Sequence, residues 1–228
     1  MGLYAIGDLH LSETGKKSMD IFKGWENHTE KLIKNWNDTV CEQDAVVIAG
    51  DISWGMTLQE SLPDFQLLQS LNGTKILIKG NHDYWWTSAG KMRAFFEENG
   101  LDTLRILHNN AYEADGFSLC GSRGWIFENG QPHDEKIINR EKCRIEASIR
   151  ASEKMSGEKL LFLHYPPVFM GQEMARYLEL MREYGIKRCF YGHLHGADHK
   201  RAVKGLYKDI EFSLISADYL KFSPLRIT

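Results

Sequence analysis

Side chains able to bind metals or move protons recur in this chain at one kind of position. Asp8 with His10, Asp51, Asn81 with His82, His164, and His193 with His195 each stand just after a short apolar run. Carboxylate, imidazole and amide carbonyl are all metal donors, and an imidazole can also carry a proton while a neighbouring carboxylate orients it. One Asp-x-His pair or one lone His is more often a packed core residue than a ligand. Five such strand ends in succession are not a packing pattern, because burying ionisable groups without partners is costly. Mixed imidazole, carboxylate and amide donors, with thiolates absent, suit first-row metals such as Mn, Fe or Zn.

The elements that must position these groups are legible in outline. Leu3 to Ile6, Ala45 to Ala49, Lys75 to Ile78, Leu160 to Leu163 and Arg188 to Tyr191 have the length and composition of buried strands. Gly7, Gly50, Gly80 and Gly192 break four of them, and Gly80 reads as a turn residue free to adopt positive φ. Leu11 to Trp25 has no clean period and reads as a loop. Leu32, Ile33, Trp36 and Val40 form a helical stripe, and Ser61 with Pro63 opens a helix carrying Phe65, Leu68 and Leu71 inward. Strand, Gly, polar residue and helix repeat three times, which predicts βαβ units and a parallel core.

Beyond Leu101 the texture changes. Leu104 to Leu107, Ala111 to Ala114 and Phe117 to Cys120 are expected as strands of an antiparallel portion of a second sheet, with Asp115-Gly116 as a two-residue hairpin turn. Asp134 to about Met155 is expected as an amphipathic helix with Ile138, Ile145 and Ile149 inward. Pro166-Pro167 forbids a helix directly after His164, Met174 to Met181 forms the next one, and the tail from Arg201 reads as strands.

At 228 residues the chain suits one domain with a large core. Lys plus Arg number 28 against 31 for Asp plus Glu, so the net charge of -3 argues against general binding to nucleic acid backbones. Cys41, Cys120, Cys143 and Cys189 lack CxxC spacing and read as reduced, mostly buried thiols. No stretch approaches the ~18 uninterrupted apolar residues of a membrane span, and the N-terminus lacks a basic, then apolar, leader. A cytoplasmic protein with no membrane partner is expected.

Together the motifs resemble those of the calcineurin-like metallophosphoesterases. They stand as Asp8-Leu9-His10, Gly50-Asp51, Gly80-Asn81-His82-Asp83, His164 and Gly192-His193-Leu194-His195, across residues 8 to 195. The resemblance implies an α/β fold, a four-layer α/β/β/α sandwich of two mixed β-sheets flanked by helices. It implies two divalent or trivalent transition metal ions (Mn, Fe or Zn), one held by Asp8, His10, Asp51 and His195. The other would be held by Asp51, Asn81, His164 and His193, with Asp51 bridging. A hydroxide bridging the metals would attack phosphorus. His82 would stay off the metals and serve the leaving oxygen or the transition state, oriented by Asp83.

Outside those motifs, Trp54, Tyr84, Trp85 and Trp86 follow ligand positions and are candidates for a substrate-facing mouth, or for packing of the loops. Arg123 and His28 are candidates for substrate contact, as are Lys16 and Lys17, for which a solvated surface is the plainer reading. His108, His133 and His199 have no partner legible in the sequence. The Arg residues that Ser/Thr protein phosphatases carry beside their motifs are replaced here by Ile52-Ser53-Trp54-Gly55 and Lys79. A small phosphoester, diester or nucleotide-like, is therefore the expected substrate. A phosphomonoesterase, a nuclease and a non-catalytic metal-binding scaffold are the alternatives.

Overall fold

Each central strand carries apolar residues on both faces, so both faces must be covered. The computed structural model of the protein describes residues 1–15, 17–125 and 135–228. Its strands are β1 (Leu3–Ile6), β2 (Ala45–Ala49), β3 (Thr74–Ile78), β4 (Leu104–Ile106), β5 (Tyr112–Ala114), β6 (Phe117–Ser122) and β7 (Glu158–Leu163). They continue with β8 (Val168–Phe169), β9 (Gln172–Glu173), β10 (Arg188–Tyr191), β11 (Gly205–Tyr207), β12 (Ile210–Leu214) and β13 (Leu225–Arg226). The helices are α1 (His28–Thr39), α2 (Leu62–Ser70), α3 (Ala89–Glu98), α4 (Glu135–Ser152) and α5 (Ala175–Glu183).

Two mixed sheets result, ordered β13-β1-β2-β3-β4 and β11-β12-β10-β7-β6-β5, with β8 and β9 as a separate hairpin. Alternation along the strands sorts side chains between layers. Leu3, Ala5, Val47, Ala49, Ile76 and Ile78 meet Leu160, Phe162 and Phe190 between the sheets. Tyr4, Ile6, Val46, Ile48 and Leu77 face Leu32, Trp36, Phe65 and Met92 of α1, α2 and α3. Leu161, Leu163, Cys189 and Tyr191 face Ile145, Ile149, Tyr177 and Met181 of α4 and α5. This is the expected α/β/β/α sandwich. Because β1, β2 and β3 run parallel, as do β7 and β10, the polar residues after them collect at common sheet edges.

Two expectations need correction, and one element was missed. Leu104 to Leu107 does not open the second sheet, since β4 pairs parallel with β3 in the first. Helix α3 packs on the first sheet and returns the chain to its edge, and a strand that follows such a crossover enters parallel. Of the cysteines, Cys41 and Cys143 are exposed and only Cys120 and Cys189 are buried. The β8–β9 hairpin was not legible because each strand is two residues long. The Asp115-Gly116 turn is as expected, with φ of 50° and 78° and strands β5 and β6 antiparallel about it. The start of α4 at Asp134 lies outside the described residues. Among those residues no helix is long and apolar enough to cross a membrane.

Lys75 is a fully buried charge within β3. Its ammonium donates to the carbonyls of Leu71 and Gly73, both at 2.7 Å, and so caps the C-terminal end of α2, where a cation is favoured. Lys75→Met should cost about 1–3 kcal/mol in denaturant unfolding, because two buried acceptors lose their donor. Burial also pulls the Lys75 ammonium from its ordinary 10.5 down to about 8. Between those values the unfolded chain binds more protons than the folded one, so the lysine's contribution to stability rises with pH. The stability gap between wild type and Lys75→Met should therefore widen as pH rises from about 8 toward 10.5.

Candidate metal centre

The backbone is bent sharply where the candidate ligands stand. Asp8, His10, Asp51 and His193 have φ of 58°, 47°, 50° and 72°. The left-handed region is unfavourable for such residues and recurs at functional sites, where the surroundings must enforce it. Here the side chains themselves bind backbone. Both Asp8 oxygens accept from His193 N, at 3.0 and 2.9 Å, which ties the end of β1 in one sheet to the end of β10 in the other. Asp51 Oδ1 accepts from His82 N at 2.7 Å.

Two glycines permit these approaches. A Cβ on Gly80 would lie 2.1 Å from Asp51 N and Oδ1, and one on Gly192 would lie 2.5 Å from Asp8 Oδ2. Gly80 is thus required by crowding, not by the positive φ expected of it; Gly50, at φ 88°, has that conformation.

The donors fall into two groups, Asp8 with His10 and His195, and Asp51 with His164 and His193; within each, one donor atom per residue lies within 4.8 Å of the others. His10 Nε2 is 3.4 Å from His195 Nε2, and His195 Nε2 is 3.9 Å from Asp8 Oδ1. Asp51 Oδ2 stands between the groups, 3.8 Å from His10 Nε2 and 3.6 Å from His164 Nε2. Asn81 Oδ1 is 2.6 Å from His164 Nε2 and 3.0 Å from His193 Nδ1.

The chemistry of this donor set fits metal ions. Donors about 2.0–2.2 Å from a shared ion lie roughly 3–3.6 Å from one another, close to the spacings found. Burial pushes the Asp8 and Asp51 carboxyls above the usual carboxylate range, with the nearby His195 pulling the other way. Burial likewise lowers His10, takes His164 to about 3 and takes His193 to about 2, so these imidazoles are neutral and ready to ligate. His195 differs. Burial would lower it, yet Asp218, Asp8 and Asp51 outweigh that and hold it at about 9.

His82 belongs to neither group. Its ring centroid is 5.8 Å from that of His10 and 4.7 Å from that of Trp54, and its buried Nδ1 has no hydrogen-bond partner among the described residues. The expectation that Asp83 orients it is not met. Asp83 is fully buried and accepts from the backbone N–H groups of Gly80 (2.7 Å), Asp51 (3.0 Å) and Ile52 (2.8 Å) and from Trp85 Nε1 (3.0 Å). A carboxylate so occupied holds loops together and has no oxygen turned to the His82 ring.

The other candidates separate. Trp54 stacks on His10 at 4.9 Å, with the Lys17 ammonium 4.3 Å from its ring centre. Tyr84 is 53% exposed beside His82, at 6.2 Å. Trp85 is buried against Phe65, so it packs the core and does not line a mouth. Trp86 lies beside Trp85 and His108. His28 is buried against Trp25 and Phe222, not among the metal donors. Arg123 faces Glu141 of α4 at 3.9 Å. Lys16 and His133 lie outside the described residues.

Asp218 was missed. It follows β12, another strand end of the second sheet, but in no motif. Its Oδ1 accepts from His195 Nδ1 at 3.0 Å, leaving His195 Nε2 directed at the first donor group. Asp218 Oδ2 also lies 3.2 Å from His199 Nε2, an ion-pair distance, although that nitrogen makes no hydrogen bond among the described residues. Trp25, packed edge-on between His10 and His195, was read only as the end of a loop.

Comparison with known proteins bears on this geometry. A family profile described as calcineurin-like phosphoesterase matches residues 1–197. An uncharacterized protein of Methanocaldococcus jannaschii is 29% identical over 154 residues, which cover 64% of this chain and 81% of that protein. A phosphopantetheinyl hydrolase from Mycobacterium tuberculosis has a TM-score of 0.58 at 14% identity, covering 99% of this chain and 95% of its own. A protein of unknown function from Aquifex aeolicus has a TM-score of 0.54 at 16% identity, with coverage of 99% and 95%. At such identities the two solved structures share the fold.

Asp218 should act through His195. A carboxylate that fixes the tautomer of a metal-binding imidazole is worth about 10–100-fold in metal affinity. Asp218→Ala should weaken transition-metal binding by about that factor in competition with a chromogenic chelator, with secondary structure unchanged. Equal affinity in the two proteins would remove Asp218 from the centre.

Proposed function

The chain belongs to the calcineurin-like phosphoesterases, hydrolases of phosphoesters, and on that premise we propose a dinuclear metal-dependent enzyme that acts on a small soluble phosphoester, diesters and nucleotide-like compounds favoured. The observation that carries this reading is the pair of donor groups with Asp51 between them. Asp8, His10, Asp51 and His195 would hold one ion, and Asp51, Asn81, His164 and His193 the other. When bound, such ions polarise phosphoryl oxygens and acidify water toward a pKa of about 7.

The protein's own groups then have distinct tasks. His82 lies beside the donors without joining them and carries a proton to the leaving oxygen. Asp83 supports it indirectly, by holding the loop from Gly80 against that of Asp51. Trp54 braces His10 and excludes water from one side of the site. Tyr84 is the exposed aromatic ring beside His82 and the candidate for contact with the substrate's organic part. A net charge of -3 gives no long-range attraction for a polyanion, which favours a small substrate over duplex DNA.

Elemental analysis should find two transition-metal ions per chain, and chelation should abolish hydrolysis until metal is returned. Under one metal condition, catalytic efficiency should be higher on a chromogenic diester and nucleotides than on phosphopeptide or duplex DNA. Full turnover by rigorously metal-free protein would sink the mechanism, and a preference for phosphopeptide or DNA would sink the substrate reading.

His82 and Asp51 should fail differently. His82→Ala should lower turnover by about 10²–10⁴ while both metals stay bound, the usual worth of a general acid. Asp51→Asn should weaken both metals together, since one carboxylate serves both. Equal metal loss in the two variants would show that His82 is a ligand.

A further inference from the structure

Each candidate metal position has a buried aromatic ring packed against both of its imidazoles. In the first group the Trp25 ring centre lies 5.7 Å from that of His10 and 5.5 Å from that of His195, edge-on at 65° to each. In the second, the Tyr165 ring centre lies 5.2 Å from that of His164 and 4.3 Å from that of His193. Both residues are buried. Trp54 also stacks on His10, at 4.9 Å, but meets no second imidazole of that group among the described residues.

The torsion that turns a histidine ring is broad and roughly two-fold, so no rotamer preference fixes where its nitrogens point. A metal-binding histidine is normally oriented by a hydrogen bond from its other ring nitrogen to an acceptor behind it. His195 has such an acceptor in Asp218 Oδ1, at 3.0 Å, and His164 has one in the Ala49 carbonyl, also at 3.0 Å. His10 and His193 differ. Among the described residues their rings are hydrogen-bonded only to other members of the donor set, His195 and Asn81. Each group therefore joins one imidazole held by a hydrogen bond to one that packing must hold.

The two wedging rings are themselves fixed. Trp25 is backed by His28 at 5.3 Å and by Phe222 at 5.2 Å. Tyr165 donates its backbone N–H to the Arg123 carbonyl at 2.9 Å, and the Pro166 that follows restricts its backbone. A ring locked from behind holds the neighbouring imidazole before an ion arrives, and order present beforehand adds to affinity.

We propose that Trp25 and Tyr165 are positioning residues that set the affinities of the two metal positions separately. Trp25 acts on the ion of Asp8, His10 and His195, and Tyr165 on that of Asp51, His164 and His193. The two ions are then tuned independently, although Asp51 stands between them. This rests on the two-ion reading of the donor groups and not on the hydrolysis proposed for them.

The test is a titration of Zn²⁺ into the metal-free full chain, in competition with a chromogenic chelator, with the two binding steps resolved. Trp25→Leu should weaken one step and Tyr165→Leu the other, each by about 10–100-fold, the usual worth of a group that orients a metal-binding imidazole. The double variant should weaken both. Trp25→Phe and Tyr165→Phe keep a ring and should keep most of the affinity. In a His10→Ala background, where the first position is already impaired, Tyr165→Leu should weaken the remaining ion and Trp25→Leu should not. Should a Leu variant not fold, Met takes its place, since its adaptable chain fills such a space.

Trp36→Leu removes a fully buried indole of the same core that makes no ring contact among the described residues. It should lower stability in denaturant unfolding and leave both steps unchanged. Wild-type affinities in the Leu variants, loss of the same step in both, or an equal loss in Trp36→Leu would overturn the proposal. Two ions bound by wild type without these differences would leave the two-ion reading standing and remove this one. A wild type that binds fewer than two ions would remove both.

Discussion

The Asp83 carboxylate gathers the backbone N–H groups of Gly80, Asp51 and Ile52 and the Trp85 indole around one fully buried point. These donors come from the loops after β2 and β3, so one side chain sets the distance between Asp51 and Asn81. Burial, then the nearby Asp51, pushes the Asp83 carboxyl upward, while its backbone hydrogen bonds oppose that shift. A buried carboxylate without such donors would be strongly destabilising. With them it becomes the clamp on which the geometry of the donor groups depends.

The same logic extends across the two sheets. Asp8 ends a strand of the first sheet and binds the backbone of His193 in the second. Asn81 from the first meets His164 and His193 from the second. The donors are therefore assembled only when both sheets pack, and the apolar layer of Ala5, Ala49, Ile78, Phe162 and Phe190 between them sets their separation. Folding and formation of the site are one event in this architecture.

Electrostatics divides the site into unlike parts. Most of the imidazoles are desolvated and neutral, whereas His195 is held charged by Asp218, Asp8 and Asp51 in the absence of a metal. Asp218 thus fixes one ring nitrogen of His195 and leaves the other for the first donor group.

Much was legible in the sequence because it depends on local order. Apolar runs of four or five residues, followed by Gly-Asp, Gly-Asn-His or Gly-His-x-His, identify the strands, their ends and the donor types, and they place the chain in its fold class. What lay beyond the sequence depends on which distant residues meet. Asp83 follows His82 directly, yet its oxygens turn to backbone brought over from the β2 loop. Asp218 belongs to no motif and gains its role only when β12 packs beside β10. The run from Leu104 joined the first sheet because α3 returned it there, a matter of packing and not of propensity. The chain alone determined which groups could do chemistry; tertiary structure decided their partners, because burial and hydrogen bonding act between segments that the sequence keeps far apart.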